Sequence, residues 1–109
     1  MERFAPIHDN DRPWGGFSQF THNEQTTVKV IWVKEGKRNS LQWHEHRDEK
    51  WVILSGPIKV TLGQKDALRE TIGNTGDIFE VFVGTWHRSE GMGAGNRLLA
   101  ISYGDFVGT

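Results

Sequence analysis

The residues of this chain with the widest chemical reach lie in one run, Gln42-Trp43-His44-Glu45-His46, and at two positions beyond it, Glu49 and His87. In an extended strand side chains alternate between faces. Arg38, Ser40, Gln42, His44 and His46 would then share one face, and Asn39, Leu41, Trp43 and Glu45 the other. Facing solvent, this pattern describes an amphipathic edge strand that buries Leu41 and Trp43. Facing an interior, two imidazoles separated by roughly 6 to 7 Å of backbone rise would converge on one ion. Glu49 follows the short Arg47-Asp48 connection, which would return its carboxylate beside the histidine pair across an antiparallel ladder. His87 follows the turn Gly84-Thr85-Trp86, which would aim a third imidazole into the same space. The chain has no cysteine, so nitrogen and oxygen must do any metal binding. His44, His46, Glu49 and His87 make such a set for a first-row divalent ion, with positions left open for a ligand. His8 and His22 sit in polar, turn-like contexts and read as surface residues.

Residues so far apart in sequence need a sheet to bring them together. The β-branched and aromatic runs predict strands over 26–34, 38–46, 49–55, 58–62, 67–72, 78–83 and 97–103. Glycine-containing turns separate them at about ten-residue spacing, the pattern of an antiparallel sandwich or small barrel. The segment 65–72 has too few apolar residues for a helix and reads as strand or turn. The run Gly91-Met92-Gly93-Ala94-Gly95 lacks the strand-then-helix context of a phosphate-cradling loop and reads as a mobile surface turn.

Composition narrows the classes further. The 109 residues suit one domain, 1–109, and no repeat, linker or low-complexity tract divides them. Thirteen Lys and Arg against fourteen Asp and Glu give a net charge of -1, too little positive field to hold a nucleic acid or an anionic membrane. Apolar runs are short and no signal-like stretch follows the polar amino terminus, which predicts a soluble, unexported, cytoplasmic protein. Only 36% of the residues are hydrophobic, so some inward positions are expected to be polar for a reason.

The motif spacing resembles the cupin superfamily. Its first motif matches Gly36, His44, His46, Glu49 and Gly56, and its second matches Gly76, Gly84 and His87. That resemblance implies an all-β fold, the antiparallel cupin barrel also described as a double-stranded β-helix or jelly roll. Within the superfamily the chain looks closest to the cupin domain of type II mannose-6-phosphate isomerases, the carboxy-terminal part of bifunctional isomerase/GDP-mannose pyrophosphorylases. The residues carrying this are Arg12-Pro13-Trp14-Gly15, Arg38 with Ser40-Leu41-Gln42, then Arg47, Glu49 and Trp51, and His87-Arg88; the resemblance extends from Arg12 to Gly104. The chain departs from the family at Glu45 and Lys50, where histidines are usual, and at Phe82, Trp86 and Gly91.

What the resemblance implies is aldose-ketose interconversion of a sugar phosphate, mannose 6-phosphate to fructose 6-phosphate or a related pair. The metal, zinc first, with manganese, nickel, cobalt or iron as alternatives, would be held by His44, His46, Glu49 and His87, with Gln42 as a ligand if Glu49 is the base. Glu49 or a metal-bound hydroxide would be the base, with Lys50 behind them because it should face away from Glu49. Arg38 and Arg88 would hold the phosphate, Arg88 beside the reacting centre, with Ser40 and Gln42 on the sugar and Trp51 and Trp86 as pocket walls. Two other classes fit the same ligands: an iron oxygenase, which would prefer an apolar pocket, and a non-catalytic sugar or metabolite binder. A homodimer is expected from the family and from five tryptophans on so small a core.

Overall fold

A computed structural model describes residues 7–104, so the ends of the 1–109 domain lie outside the described residues. The described residues form nine strands and no helix: β1 (Ile7–Arg12), β2 (Gly15–Gln19), β3 (Thr26–Val33), β4 (Asp48–Ser55), β5 (Ile58–Gln64), β6 (Ala67–Gly73), β7 (Ile78–Val81), β8 (Trp86–Gly91) and β9 (Asn96–Tyr103). They make a β1-β2 hairpin, a four-stranded sheet in the order β3-β9-β4-β7 and a three-stranded sheet in the order β6-β5-β8. All named pairings are antiparallel. This is the all-β cupin architecture that the motif spacing implies.

The two larger sheets are joined by side chains that alternate with the pleat. Trp51 and Ile53 of β4, Ile58 and Val60 of β5, Val81 of β7 and Leu98 and Ala100 of β9 form the buried cluster, with Ile31, Leu62 and Phe79 packed against it. Each fully buried side chain of this kind contributes on the order of 1.5 to 3 kcal/mol relative to an exposed one. A glycine is needed where β6 passes this cluster. A Cβ at Gly73 would lie 2.8 Å from the Phe79 ring and 3.1 Å from Ile53. Along β4 the inward row runs from apolar Ile53 through Trp51 to Glu49. Along β8 it runs through His87, Ser89 and Gly91, all buried. One end of the interior is therefore apolar and the other polar.

The β1-β2 hairpin lies ahead of the first expected strand, and three further elements differ from the sequence-based expectation. The segment 38–46 is not a continuous strand: it pairs with β8 through isolated bridges, Arg38 to Glu90 and Gln42 to His87. Asn39 interrupts the register, because its side chain takes over ladder duty, accepting from the Ser89 amide at 2.9 Å and donating to Ser89 Oγ at 2.8 Å. Second, β8 forms over a segment for which no strand was expected. Its inward residues are polar or glycine, so hydrophobic alternation does not betray it. Third, the turn after β8 is pinned rather than loose: buried Asn96 accepts from the Met92 and Gly93 amides at 2.7 and 2.9 Å. Gly91 must be glycine here, since a Cβ would run into the Lys34 carbonyl.

Candidate metal centre

Three side chains meet at the polar end of the interior. His44, Glu49 and His87 each place one ligand atom within 4.8 Å of the others. All three are buried, with relative exposures of 5%, 9% and 6%. His87 is set by β8, which is paired on one side with Leu62 of β5 and on the other with Gln42. Glu49 sits at the start of β4 between Ser102 of β9 and Val81 of β7. His44 follows the Gln42 bridge, and its carbonyl accepts from the Gly84 amide at 2.9 Å, tying the two motif segments together. The two imidazole rings have centroids 4.8 Å apart, and the Trp51 ring stands edge-on to His87 at 5.5 Å.

Hydrogen bonding orients these groups. His87 Nδ1 lies 3.0 Å from the Thr85 carbonyl oxygen, which can only accept; Nδ1 therefore carries the proton and Nε2 keeps the lone pair. Donating the second ring N–H to a backbone carbonyl is how metal-binding histidines are commonly held. Trp51 Nε1 donates to Glu49 Oε1 at 3.2 Å, and Glu49 Oε2 lies 3.2 Å from His44 Nε2. The Arg47 guanidinium reaches in as well. Its Nη2 lies over the face of the His44 ring, 3.0 Å from Nδ1 and 3.1 Å from Nε2, and its Nε is 3.5 Å from Glu49 Oε2. Burial first, then the charges of Arg47 and His87, hold the His44 pKa below the ordinary histidine value, against the opposing pull of Glu49. A neutral His44 is the form a metal requires.

The cluster opens into a cavity of about 120 Å³ lined by Lys29, Ile31, Asn39, Ser40, Gln42, His44, Arg47, Glu49, Trp51 and His87. Two imidazoles and a carboxylate, drawn together in a buried pocket, are a donor set suited to zinc, manganese or another first-row divalent ion. Gln42 and Ser40 stand on the wall, with Gln42 Nε2 donating to Ser40 Oγ at 2.8 Å.

Other expected site residues lie elsewhere. His46 is corrected most sharply: the chain bends at 45–46, strand alternation stops, and the His46 side chain is 72% exposed beside Glu45 at 3.6 Å. Arg47, one residue on, takes the inward position. Arg38 is exposed and bridges to Glu90, off the pocket wall, because of the Asn39 irregularity. Arg88 and Trp86 occupy β8 positions that alternate with His87 and so face out of the interior. Trp86 stacks near Trp43 at 6.1 Å and under Lys65. Lys50 is buried, but on the opposite face of β4 from Glu49, with Nζ 3.6 Å from Glu80 and 4.9 Å from the Tyr103 ring centre. Trp51 borders the pocket while packing in the core. His8 and His22 are exposed, and His8 Nδ1 pairs with Ser18 Oγ at 2.6 Å.

Two cations in the pocket escaped the sequence reading, Lys29 and Arg47. Lys29 pairs with Ala100 in the β3-β9 register, and Ala100 is a core residue, so strand alternation turns Lys29 to the inner face. Alternation puts Lys29, Ile31 and Val33 on one face of β3, and the pairing with β9 shows which face that is.

Comparison with known proteins bears on the fold and the family. Relatives include mannose-1-phosphate guanylyltransferase 2 of Escherichia coli O157:H7, 38% identical over 98 residues, and a xanthan biosynthesis protein of Xanthomonas campestris, 33% identical over 98 residues. Each alignment takes in 89% of this chain and 20% of the relative, so the chain spans about a fifth of the length of these curated relatives. Among solved structures, a Bacillus halodurans protein superposes with a TM-score of 0.69 at 18% identity, covering 94% of this chain and 89% of that one. Bacillus subtilis oxalate decarboxylase, whose Mn(II) centres have been characterised, superposes with a TM-score of 0.68 at 22% identity, covering 78% of this chain and 23% of that one. The family described as mannose-6-phosphate isomerase C-terminal matches residues 3–109, and the chain belongs to it, as a cupin domain.

Proposed function

We propose that this domain binds a divalent metal and interconverts an aldose and a ketose phosphate, mannose 6-phosphate and fructose 6-phosphate being the first pair to test. The convergence of His44, Glu49 and His87 below a polar, cation-bearing cavity is the observation that carries this reading. The metal, when bound, would polarise the sugar carbonyl and its neighbouring hydroxyl, an effect of several kcal/mol on the developing negative charge. Glu49 supplies the anionic ligand and, as the sole carboxylate on the wall among the described residues, is also the group in reach of a C2 proton. Ser40, Gln42 and Asn39 offer neutral donors and acceptors for sugar hydroxyls. Lys29 takes the phosphate role that the sequence reading gave to Arg38 and Arg88, because it alone of the three reaches the pocket. An oxygenase would favour a drier wall than this one.

A sugar phosphate places the activity in the cytoplasm, and exposed Val28, Val30, Trp32 and Ile78 offer a surface for the homodimer included in this reading. The test is a coupled assay of mannose 6-phosphate turnover with zinc, manganese, cobalt or nickel supplied to chelator-stripped protein. Turnover that requires metal supports the reading. Stoichiometric metal without turnover, but with binding of the sugar phosphate, would leave a binding domain instead.

A further inference from the structure

We propose that the β1-β2 hairpin is an exchange arm: Trp14 at its tip enters the groove between Val30, Trp32 and Arg97 of a second copy of this chain, and that copy's arm returns the contact. This rests on the homodimer included in the reading above and assigns the parts that join it. The arm is preformed. Pro13 and Trp14 make its turn, Arg12 pairs with Gly15, and the Arg12 guanidinium is held by Asp9 at 3.1 Å and over the Phe17 ring at 5.6 Å. Yet neither strand pairs outside the hairpin among the described residues, and none of their side chains is buried. Trp14 is 73% exposed, and Ile7 and Phe17 are exposed with it. A two-stranded hairpin alone in water is marginally stable at best. The arm therefore calls for a surface to lie on, and the run Arg12-Pro13-Trp14-Gly15, unused by the metal centre, forms its tip.

A matching surface lies on the outer face of the four-stranded sheet. β3 is an edge strand, paired with β9 alone among the described residues. Its outward residues Val28, Val30 and Trp32 are exposed, Trp32 by 70%. Where Trp32 pairs with Arg97, a groove of about 270 Å³ is lined by Val30, Trp32, Gly95 and Arg97. An indole entering it would meet a valine, a second indole and a guanidinium, which suit its apolar body and its electron-rich face. The arm is rooted at the opposite end of β3, where Thr26 pairs with Tyr103. There Tyr103 Oη donates to the Phe20 carbonyl at 3.0 Å, and the Gly104 amide donates to the Gln25 carbonyl at 2.9 Å. From that root the strand carries Trp14 about 20 Å from Phe20, enough to reach a neighbouring copy. In a two-fold pair each arm crosses to the other copy's groove, so both unpartnered features are covered in both copies. Residues 7–19 with the receiving patch place about twenty residues on each side, the count of a standard-size interface.

The experiment is sedimentation equilibrium of the wild type, of Trp14→Ala and of Trp32→Ala, each alone, and of the two variants mixed in equal amounts. Both indoles are largely exposed, so neither substitution removes core packing. The expected result is a wild-type dimer at micromolar concentration and at least tenfold weaker association in each variant. Mixing should restore part of the dimer, because a Trp14→Ala copy still offers the groove and a Trp32→Ala copy still offers the tip, so one complete contact forms in each mixed pair. A wild type that stays monomeric overturns the arm and the homodimer together. A dimer indifferent to Trp14→Ala overturns the arm and leaves the homodimer standing. Weakening in both variants with no recovery on mixing puts the two indoles in separate contacts and overturns the exchange.

Discussion

The two walls of the centre are built differently. His87 lies inside a regular strand, paired on both sides and with its proton fixed by the Thr85 carbonyl, so its lone pair is aimed before any ligand arrives. His44 lies between an isolated bridge and a bend, and the Arg47 guanidinium rests on the face of its ring. One wall is held by a strand ladder and the other by a bend and a side chain laid against it. Ligands held by a ladder lose little freedom on binding, whereas a ligand beside a bend has more to lose. The difference predicts that substitutions on the two walls will not have equivalent effects.

The largest effect belongs to the fixed wall. His87→Ala removes a ligand that nothing nearby can replace, and metal affinity should fall a hundredfold or more, read by competition with a chromophoric chelator. Loss of its contact with Trp51 should also destabilise the fold, visible as a lower Tm in chelator. Metal bound as tightly as in the wild type would show that His87 is not a ligand at all. Next in size is Lys29→Ala, expected to weaken a sugar phosphate about tenfold while leaving its unphosphorylated analogue within about twofold, as for one charge-assisted bond. Arg38→Ala and Arg88→Ala serve as controls. If either matches Lys29→Ala, the phosphate lies outside the cavity described.

How much of this is legible in the sequence follows from the same contrast. His87 and Glu49 can be found because they match the motifs of the cupin superfamily, and the cupin fold is what that resemblance implies. His46 misleads because the alternation rule holds only while the backbone stays extended, and nothing in Glu45-His46-Arg47 announces a bend. Arg38 misleads for a similar reason, with Asn39 inserting its side chain into the ladder of β8. Arg88 and Lys50 are next to true site residues in sequence and on the opposite face in space, as a two-residue period requires. Lys29 needed the partner strand before its side could be assigned, since pairing register is a tertiary property.

A smaller effect should appear in stability. The folded protein holds His44 below its ordinary pKa, chiefly by burial. The unfolded chain therefore binds the proton more readily. Stability of the metal-free protein is fully present above about pH 6.5, the unfolded histidine value, and is lost as pH falls from there toward the depressed folded value. Thermal unfolding in chelator should give a lower Tm at pH 5.5 than at pH 7.5, and His44→Gln should flatten that difference. An unchanged slope in the variant would move the linkage to another group.

The smallest effect sharpens the comparison most. His46→Ala, which the HxH pattern alone would make a ligand deletion, should leave metal affinity within about twofold and Tm nearly unchanged, because its side chain is 72% exposed and pairs only with equally solvated Glu45. The bend at 45–46 gives this variant its force. If metal binding reshaped the bend enough to bring His46 inward, His46→Ala would lose metal as severely as His87→Ala does. Equilibrium dialysis of the two variants side by side decides this. A large loss in both would mean that the bend turns the His46 side chain into the site when metal binds.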